Sequence, residues 1–208
     1  MNNGRYLIRP NPVDFLTLSG VVTSAGAVAV TLKGHYHLAT AILFIAMLGD
    51  ALDGMLARRL GLVRHFGRYL DGFMDVLIYL VAPSLIFYLH GFDGPWSAFL
   101  LLMIACGCTR LAVFNDIGNI QEEKGLAYLG MPVFWSIFML AGYLLLATLN
   151  VPATWLHPIL AITLVAFSHA MVRRKPFFKF SKLSHILFLT LGGALLFFSL
   201  HLHAVIAP

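Results

Sequence analysis

The chain has 208 residues, of which 60% are hydrophobic and only 11% are charged, and its formal net charge is +5. Its mean hydropathy is +0.85. So few charged side chains cannot cover a water-exposed surface, which excludes a cytosolic globular enzyme, a disordered chain and a coiled coil. The composition predicts an all-α integral membrane protein.

Seven apolar segments are long enough, or nearly long enough, to cross a bilayer, which takes about 20 residues. The sixth segment is short, and the fourth carries Arg110 near its end. No soluble linker, low-complexity tract or obvious internal repeat separates them. In chain order the segments cover residues 15–32, 38–57, 69–90, 96–114, 131–149, 157–172 and 183–205.

The basic residues are distributed asymmetrically between the two ends of these segments. With the N-terminus inside the cell, all of the 14 Lys and Arg residues except Lys33 fall on or near the cytoplasmic side. Cytoplasmic loops hold an excess of such residues, so the pattern predicts a cytoplasmic N-terminus and, with seven spans, an external C-terminus. The positive charge then attracts anionic lipids. No basic surface with interleaved aromatic residues is present, so we expect no nucleic-acid partner.

Four of the nine acidic residues, Asp50, Asp53, Asp71 and Asp75, lie close together on the second and third apolar segments. Asp50 and Asp53 are three positions apart and Asp71 and Asp75 four apart, so on helices each pair occupies one face. Carboxylates inside a membrane are costly, and by default they mark a functional site or a buried partner. At about 1.5 Å of rise per residue, both pairs lie at matching depth beneath the cytoplasmic surface.

Four carboxylates at this depth need a compensating positive charge. Two of them about 5 Å apart repel by about 3 kcal/mol at an effective dielectric constant of about 20. A cluster made only of carboxylates suits a hard divalent cation such as Mg²⁺ or Mn²⁺. Pairing with Arg58, Arg59 or Arg68 is the structural alternative.

Small residues share the helix faces of the acids. Gly54 and Ala57 follow Asp50 by four and seven positions, and Gly67 precedes Asp71 by four. They leave room for a ligand, and they would equally allow close helix packing.

The complete pattern reads Asp50-x2-Asp53-Gly54-x2-Ala57-Arg58-x8-Gly67-x3-Asp71-x3-Asp75. It resembles the signature of the CDP-alcohol phosphotransferase (phosphatidyltransferase) family, and every fixed position is filled. The resemblance implies a six-helix membrane core with one additional helix. The implied divisions are an N-terminal cytoplasmic segment (1–14), the catalytic core (15–172), a basic loop (173–182) and the additional helix (183–208).

The resemblance also implies a role for individual residues. Two divalent ions, Mg²⁺ or Mn²⁺, would be held by the four aspartates, and Asp75 would also be the general base. Arg110 and Arg68 would bind the acceptor or a lipid phosphate. The cytidine nucleotide would be bound by Asp50, Gly54, Ala57, Arg58 and Gly67.

Further consequences of the resemblance concern partners and location. The substrates would be CDP-diacylglycerol and a small alcohol, within membrane lipid, and the products would be CMP and a phosphodiester lipid. The protein would be a homodimer in the cytoplasmic membrane of a prokaryote, with its active site facing the cytoplasm.

Within the family, three stretches are most similar to the phosphatidylserine synthase branch, which implies L-serine as the acceptor. These stretches are the run from Phe-Gly-Arg-Tyr-Leu-Asp at 66–71 through Val-Ala-Pro at 81–83, Arg-Leu-Ala-Val-Phe-Asn at 110–115 and Lys-Pro-Phe-Phe-Lys-Phe at 175–180. Gly72 and Val113 depart from that branch, and residues 130–135, which end in Trp135, are closer to a phosphatidylcholine synthase. These positions are expected near the acceptor, so choline, inositol phosphate and glycerol phosphate remain as alternative acceptors.

A divalent-cation channel or transporter is the alternative from another class. Transport sites lie near the midplane of the membrane, whereas these acids lie near one interface and the outer halves of their helices are apolar. The histidines give no metal site either, because most fall on predicted outer loops or at interfacial ends. Those are His35, His37, His90, His157, His201 and His203.

Overall fold

The computed structural model describes residues 8–122, 125–178 and 183–206. Within these ranges the chain forms seven main helices, and six of them are long and apolar enough to cross a membrane. The all-α membrane fold predicted from composition is therefore confirmed. The helices are α1 Pro12–Thr31, α2 Tyr36–Arg59, α3 His65–Leu89, α4 Ser97–Ile117, α5 Trp135–Thr148, α6 Ala153–Val172 and α7 Leu183–Ile206.

The short helix is the fifth and not the sixth as the sequence predicted. α5 has only 14 residues, because the chain before it turns through Pro132 and becomes helical only at Trp135. α6 has 20 residues and begins at Ala153, directly after Pro152, and it accommodates Pro158 within its length. Pro152 is tolerated because several backbone N–H groups at the start of a helix lack helical partners in any case, whereas Pro158, the sixth residue, has no N–H to donate to the carbonyl of Thr154.

A three-stranded antiparallel sheet, which the sequence analysis did not anticipate, joins two connections of the bundle. Its strands are β1 Ile120–Glu122, β2 Gly125–Leu129 and β3 Pro176–Phe178. In the central strand, Ala127 pairs with Ile120 on one side and Phe178 on the other. The sheet thus ties the α4–α5 connection to the start of the predicted basic loop, whose residues 179–182 lie outside the described ranges.

α3 contains a π-helical turn between two α-helical parts. The first part is His65–Asp75, the π turn is Val76–Val81 and the last part is Ala82–Leu89. Pro83 has no N–H, so it cannot donate to the carbonyl four residues earlier, that of Tyr79. Ser136 of α5 donates its hydroxyl hydrogen to that carbonyl instead. Such π turns are frequent at functional sites, and this one directly follows Asp75.

The additional helix α7 packs against α2. The rings of Phe44 and Phe197 stack with centroids 6.0 Å apart, and both side chains are buried. A Cβ atom added at Gly193 would lie 2.7 Å from the Phe44 ring. This close approach explains a glycine in the middle of α7, because any side chain there would displace Phe44.

Candidate active site

A cavity of about 670 Å³ lies at the ends of α2 and α3 that carry the four aspartates. Its walls come from α1, α2, α3 and α4, with contributions from β2, the turn before α5, and Ile186 of α7. All the residues that the sequence assigned to a site line this cavity. They are Asp50, Asp53, Gly54, Ala57, Arg58, Gly67, Arg68, Asp71, Asp75 and Arg110.

The two pairs of aspartates converge because α2 and α3 run in opposite directions with their acid-bearing faces toward each other. Asp50, Asp53 and Asp71 each offer a carboxylate oxygen, and these oxygens all lie within 4.8 Å of one another. Asp75 lines the same cavity one helical turn beyond Asp71. Asp53 and Asp75 are only 3% and 8% exposed.

This donor set fits a hard divalent cation. Its ligand atoms are all carboxylate oxygens, which Mg²⁺ and Mn²⁺ prefer over the nitrogen and sulfur ligands that zinc and copper select. Oδ2 of Asp53 is buried and has no hydrogen-bond partner among the described residues. A buried carboxylate oxygen without a partner is costly unless a cation or a ligand satisfies it.

Tyr79, which the sequence analysis did not single out, joins the acids from the π turn of α3. Its hydroxyl donates to Oδ2 of Asp50 at 2.7 Å, and its ring is buried. Tyr79 follows Asp71 by eight positions and Asp75 by four, so helical spacing alone placed it on their face. That spacing was a usable signal.

Arg110 enters the cavity from α4 beside two aromatic rings. Its guanidinium carbon lies 4.9 Å from the ring centroid of Phe114 and 5.2 Å from that of Tyr128. The two centroids are 5.8 Å apart, so the guanidinium lies next to the pair of rings and not between them. The side chain is 5% exposed, and its Nε and Nη2 have no hydrogen-bond partner among the described residues. Aromatic rings stabilise a buried guanidinium but leave its N–H donors to another partner.

Tyr128 comes to this position from β2. No sequence signal indicated it, because strand pairing across about 50 residues of sequence positions the ring. Burial raises the pKa of the Tyr128 phenol well above its usual value, so it stays a neutral hydrogen-bonding group.

Two of the three small residues on these faces, Gly54 and Gly67, do not pack closely against another helix. A Cβ added at Gly54 would lie 3.6 Å from Nη1 of Arg58, and one added at Gly67 would lie 3.7 Å from Cγ of Arg64. In both cases the neighbour is an arginine side chain that also lines the cavity. Of the two alternatives from the sequence, the geometry favours room for a ligand.

Among the positions that depart from the phosphatidylserine synthase pattern, Pro132, Val133 and Phe134 line the cavity, whereas Gly72, Val113 and Trp135 do not. Val113 is exposed on the outside of α4. Trp135 packs on Phe138, with ring centroids 5.3 Å apart. Gly72 leaves space for the side chain of Asn115, whose amide nitrogen would lie 2.6 Å from an added Cβ. The expectation that these positions lie near the acceptor stays a prediction.

The motif, the helical bundle and the acid-lined cavity can be compared with known proteins. A sequence model of the CDP-alcohol phosphatidyltransferase family matches residues 10–205. The chain belongs to this family. The match includes nearly all of α1 to α7, and it confirms the resemblance carried by the eight-residue motif. The region that matches the CDP-alcohol phosphatidyltransferase family therefore extends over α7, the helix that the sequence analysis set apart from the six-helix core.

Curated relatives in the family are named for more than one acceptor. The chain is 33% identical over 121 residues to CDP-diacylglycerol--serine O-phosphatidyltransferase of Bacillus subtilis (strain 168). This alignment covers 57% of this chain and 66% of that protein. It is 29% identical over 135 residues to archaetidylserine synthase of Methanothermobacter thermautotrophicus, which covers 62% and 58%. It is 28% identical over 129 residues to phosphatidylcholine synthase of Brucella melitensis biotype 1, which covers 60% and 46%. The matched part spans less than two thirds of each relative.

Proposed function

We propose that this protein transfers the phosphatidyl group of CDP-diacylglycerol to the hydroxyl group of L-serine, giving phosphatidylserine and CMP. The observation that carries the proposal is one cavity in which four carboxylates of the family motif meet Arg110, a buried arginine with unsatisfied donors. The names of the relatives support the same reaction, since serine-linked products predominate among them.

The residues of the cavity divide the chemistry between them. Asp50, Asp53, Asp71 and Asp75 would hold two divalent cations, Mg²⁺ or Mn²⁺. When bound, such ions neutralise a pyrophosphate and stabilise the departing phosphate. Tyr79 fixes the orientation of Asp50 through its hydrogen bond. Arg58 would hold the nucleotide, while the bare backbone at Gly54 and Gly67 lets it approach.

Asp75 is the proposed general base. It accepts the proton of the acceptor hydroxyl as the oxygen attacks the phosphorus of the phosphatidyl group. The bond from that phosphorus to the oxygen of CMP breaks, and CMP leaves with the electron pair. One lipid phosphodiester and one CMP form for each CDP-diacylglycerol and serine consumed.

Arg110 favours serine over choline as the acceptor. Its unsatisfied N–H donors suit an anionic group, and the carboxylate of serine can accept two parallel hydrogen bonds from a guanidinium. Choline has no anionic group and would bring a second positive charge toward the arginine. Phosphorylated acceptors would also satisfy Arg110, so the assay must include them.

The decisive experiment measures CMP release by the purified protein with CDP-diacylglycerol and Mg²⁺ or Mn²⁺. Serine, choline, inositol phosphate and glycerol phosphate are supplied one at a time. We expect release with serine, and a loss of about 100-fold or more in Asp75→Asn, which cannot accept the proton. Release with another acceptor alone would overturn the serine assignment, and no release with any acceptor from folded protein would overturn the reaction.

Arg110→Lys tests the acceptor assignment separately. Lysine keeps the charge but loses the planar donors and the contact of a guanidinium with the rings of Phe114 and Tyr128. We expect the KM for serine to rise about tenfold or more, with an unchanged KM for CDP-diacylglycerol. Arg59→Lys, outside the cavity, is the matched control. Equal KM values for serine in both variants would contradict this role of Arg110.

A further inference from the structure

Arg64 is an arginine at a position where the backbone favours a different residue. It is the N-cap residue of α3, and its side chain makes no capping hydrogen bond. Ser, Thr, Asp and Asn are preferred at this position because they accept hydrogen bonds from the first turn. A cation is also unfavourable beside the positive end of the helix dipole. Arg64 therefore does not stabilise the start of α3, and its side chain bonds to another segment.

The side chain of Arg64 crosses to the start of α1. Its Nη2 forms an ion pair with Oδ2 of Asp14, and Nη1 donates to the carbonyl of Arg9 at 3.1 Å. Asp14 is 3% exposed, and the same oxygen accepts the backbone N–H of Asn11 at 2.7 Å. The guanidinium is thus held by two groups of a different segment, and Asn11 helps to fix one of them, the Asp14 carboxylate.

Arg64 lies at the part of the cavity assigned to the donor nucleotide. Its Cγ packs over the open backbone of Gly67, and both residues line the cavity with Arg58. Its Nε is buried and has no hydrogen-bond partner among the described residues. Asp14 and the Arg9 carbonyl bind Nη2 and Nη1, whereas Nε, which bonds to neither of them, keeps its N–H for a ligand.

We propose that Arg64 binds the cytidine diphosphate head of the donor through its Nε–H, and that Asp14 is a positioning residue that orients it. The ligand group is a hydrogen-bond acceptor of that head, a phosphate oxygen or the base carbonyl. The inference rests on the proposed function, because it assigns a contact to the donor of that reaction. It adds an arginine outside the family motif and an acid at the start of α1.

Substitution of Arg64 by lysine separates ligand binding from a structural ion pair. Lysine can still pair with Asp14, but it has no donor equivalent to Nε–H. The probe is CMP, titrated into purified protein with Mg²⁺ or Mn²⁺ present. We expect Arg64→Lys and Asp14→Asn each to weaken CMP binding about tenfold, with an unchanged KM for serine. Arg59→Lys, a neighbouring arginine outside the cavity, should bind CMP as the wild type does.

The double variant Asp14→Asn/Arg64→Lys tests whether Asp14 acts through Arg64. If it does, the two losses of CMP affinity are not additive, and the double variant binds about as weakly as Arg64→Lys alone. Additive losses, or Arg64→Lys with wild-type affinity, would overturn the inference while leaving the proposed reaction intact. Failure of the wild type to bind CMP would overturn both. Arg64→Lys keeps the ion pair, so it supplies a folded variant even if Asp14→Asn does not fold.

Discussion

At the scale of single residues, Tyr79 and Asp50 show how the site is held in place. The Tyr79 hydroxyl donates to Oδ2 of Asp50, and a carboxylate oxygen of Asp50 lies within 4.8 Å of those that Asp53 and Asp71 offer. Partners of this kind orient metal-binding side chains, and their loss commonly costs about 10-fold to 100-fold in metal affinity or activity.

Tyr79→Phe removes only this donor and keeps the buried ring. We expect the Mn²⁺ concentration needed for half-maximal CMP release to rise about tenfold, with little change in thermal stability. Titrating Mn²⁺ against the initial rate measures the shift. Tyr88→Phe, an exposed tyrosine of the same helix, is the matched control. Equal Mn²⁺ dependence in the two variants would rule out the orienting role of Tyr79.

The residues of the site differ in how far the sequence predicted them. Of the ten assigned residues, eight belong to the family motif, Arg68 is adjacent to one of these, and Arg110 belongs to a stretch similar to the phosphatidylserine synthase branch. All ten line the cavity. Tyr79 carried a helical-spacing signal that could have been used. Tyr128 and the pair of Asp14 with Arg64 depend on contacts between distant segments. A pattern within one segment cannot indicate those contacts, because they depend on how the segments pack.

At the scale of elements, the contact between α2 and α7 depends on one of two adjacent glycines. Gly192 and Gly193 follow each other in α7, but only Gly193 faces Phe44. A Cβ added at Gly192 would meet nothing within 4 Å. The two positions therefore have the same helix propensity and opposite packing environments.

Gly193→Ala should lower the thermal unfolding midpoint in detergent, because the new methyl group must displace the buried Phe44 ring. The expected cost is about 1 to 3 kcal/mol, minus about 1 kcal/mol gained from replacing a helical glycine. Gly192→Ala should be neutral or stabilising. A Gly193→Ala protein as stable as Gly192→Ala would show that α7 does not pack on α2 in this way.

The helices that are defined by hydropathy alone were predicted correctly from the sequence. Long apolar runs gave α1, α2, α3, α4 and α7 with small errors at their ends. The errors at α5 and α6 arise from prolines, whose effect on a helix depends on where in its length they fall. The sheet was missed because its strands have only three to five residues and are stabilised by pairing across the bundle.

At the scale of the whole molecule, the two ends of the bundle have different chemistry. The aspartates and arginines occupy one end, and α2, with 24 residues, is about 36 Å long. At its far end, Nε2 of His37 lies 3.1 Å from the Thr148 hydroxyl, and Nδ1 of His90 lies 3.2 Å from the Tyr143 hydroxyl. The ring of His90 also contacts Tyr36, with centroids 4.9 Å apart.

This histidine end should make the fold sensitive to acid. Burial lowers the pKa of His90 below 6.5, and the nearby His37 and His157 lower it further. As the pH falls below about 6.5, the unfolded chain binds a proton that the folded His90 resists, so the free energy of unfolding decreases. Above that pH His90 is neutral in both the folded and the unfolded chain, so this loss of stability does not occur.

The measurement is the thermal unfolding midpoint in detergent at about pH 7.5 and about pH 5.5. The wild type should lose stability at the lower pH, and His90→Gln should lose less. His185→Gln, an exposed histidine of α7, should behave as the wild type does. An identical pH dependence in His90→Gln would exclude His90 as a source of the acid sensitivity.

The position of Ile186 in the wall of the cavity bears on how the protein is made. Asp75, the last of the four aspartates, precedes the first residue of α7 by 108 positions, but Ile186 of α7 completes the cavity that holds them. β3, which pairs with the strand that carries Tyr128, also follows the aspartates in the chain. The ribosome therefore makes both acid-bearing helices before it makes the last parts of their binding site.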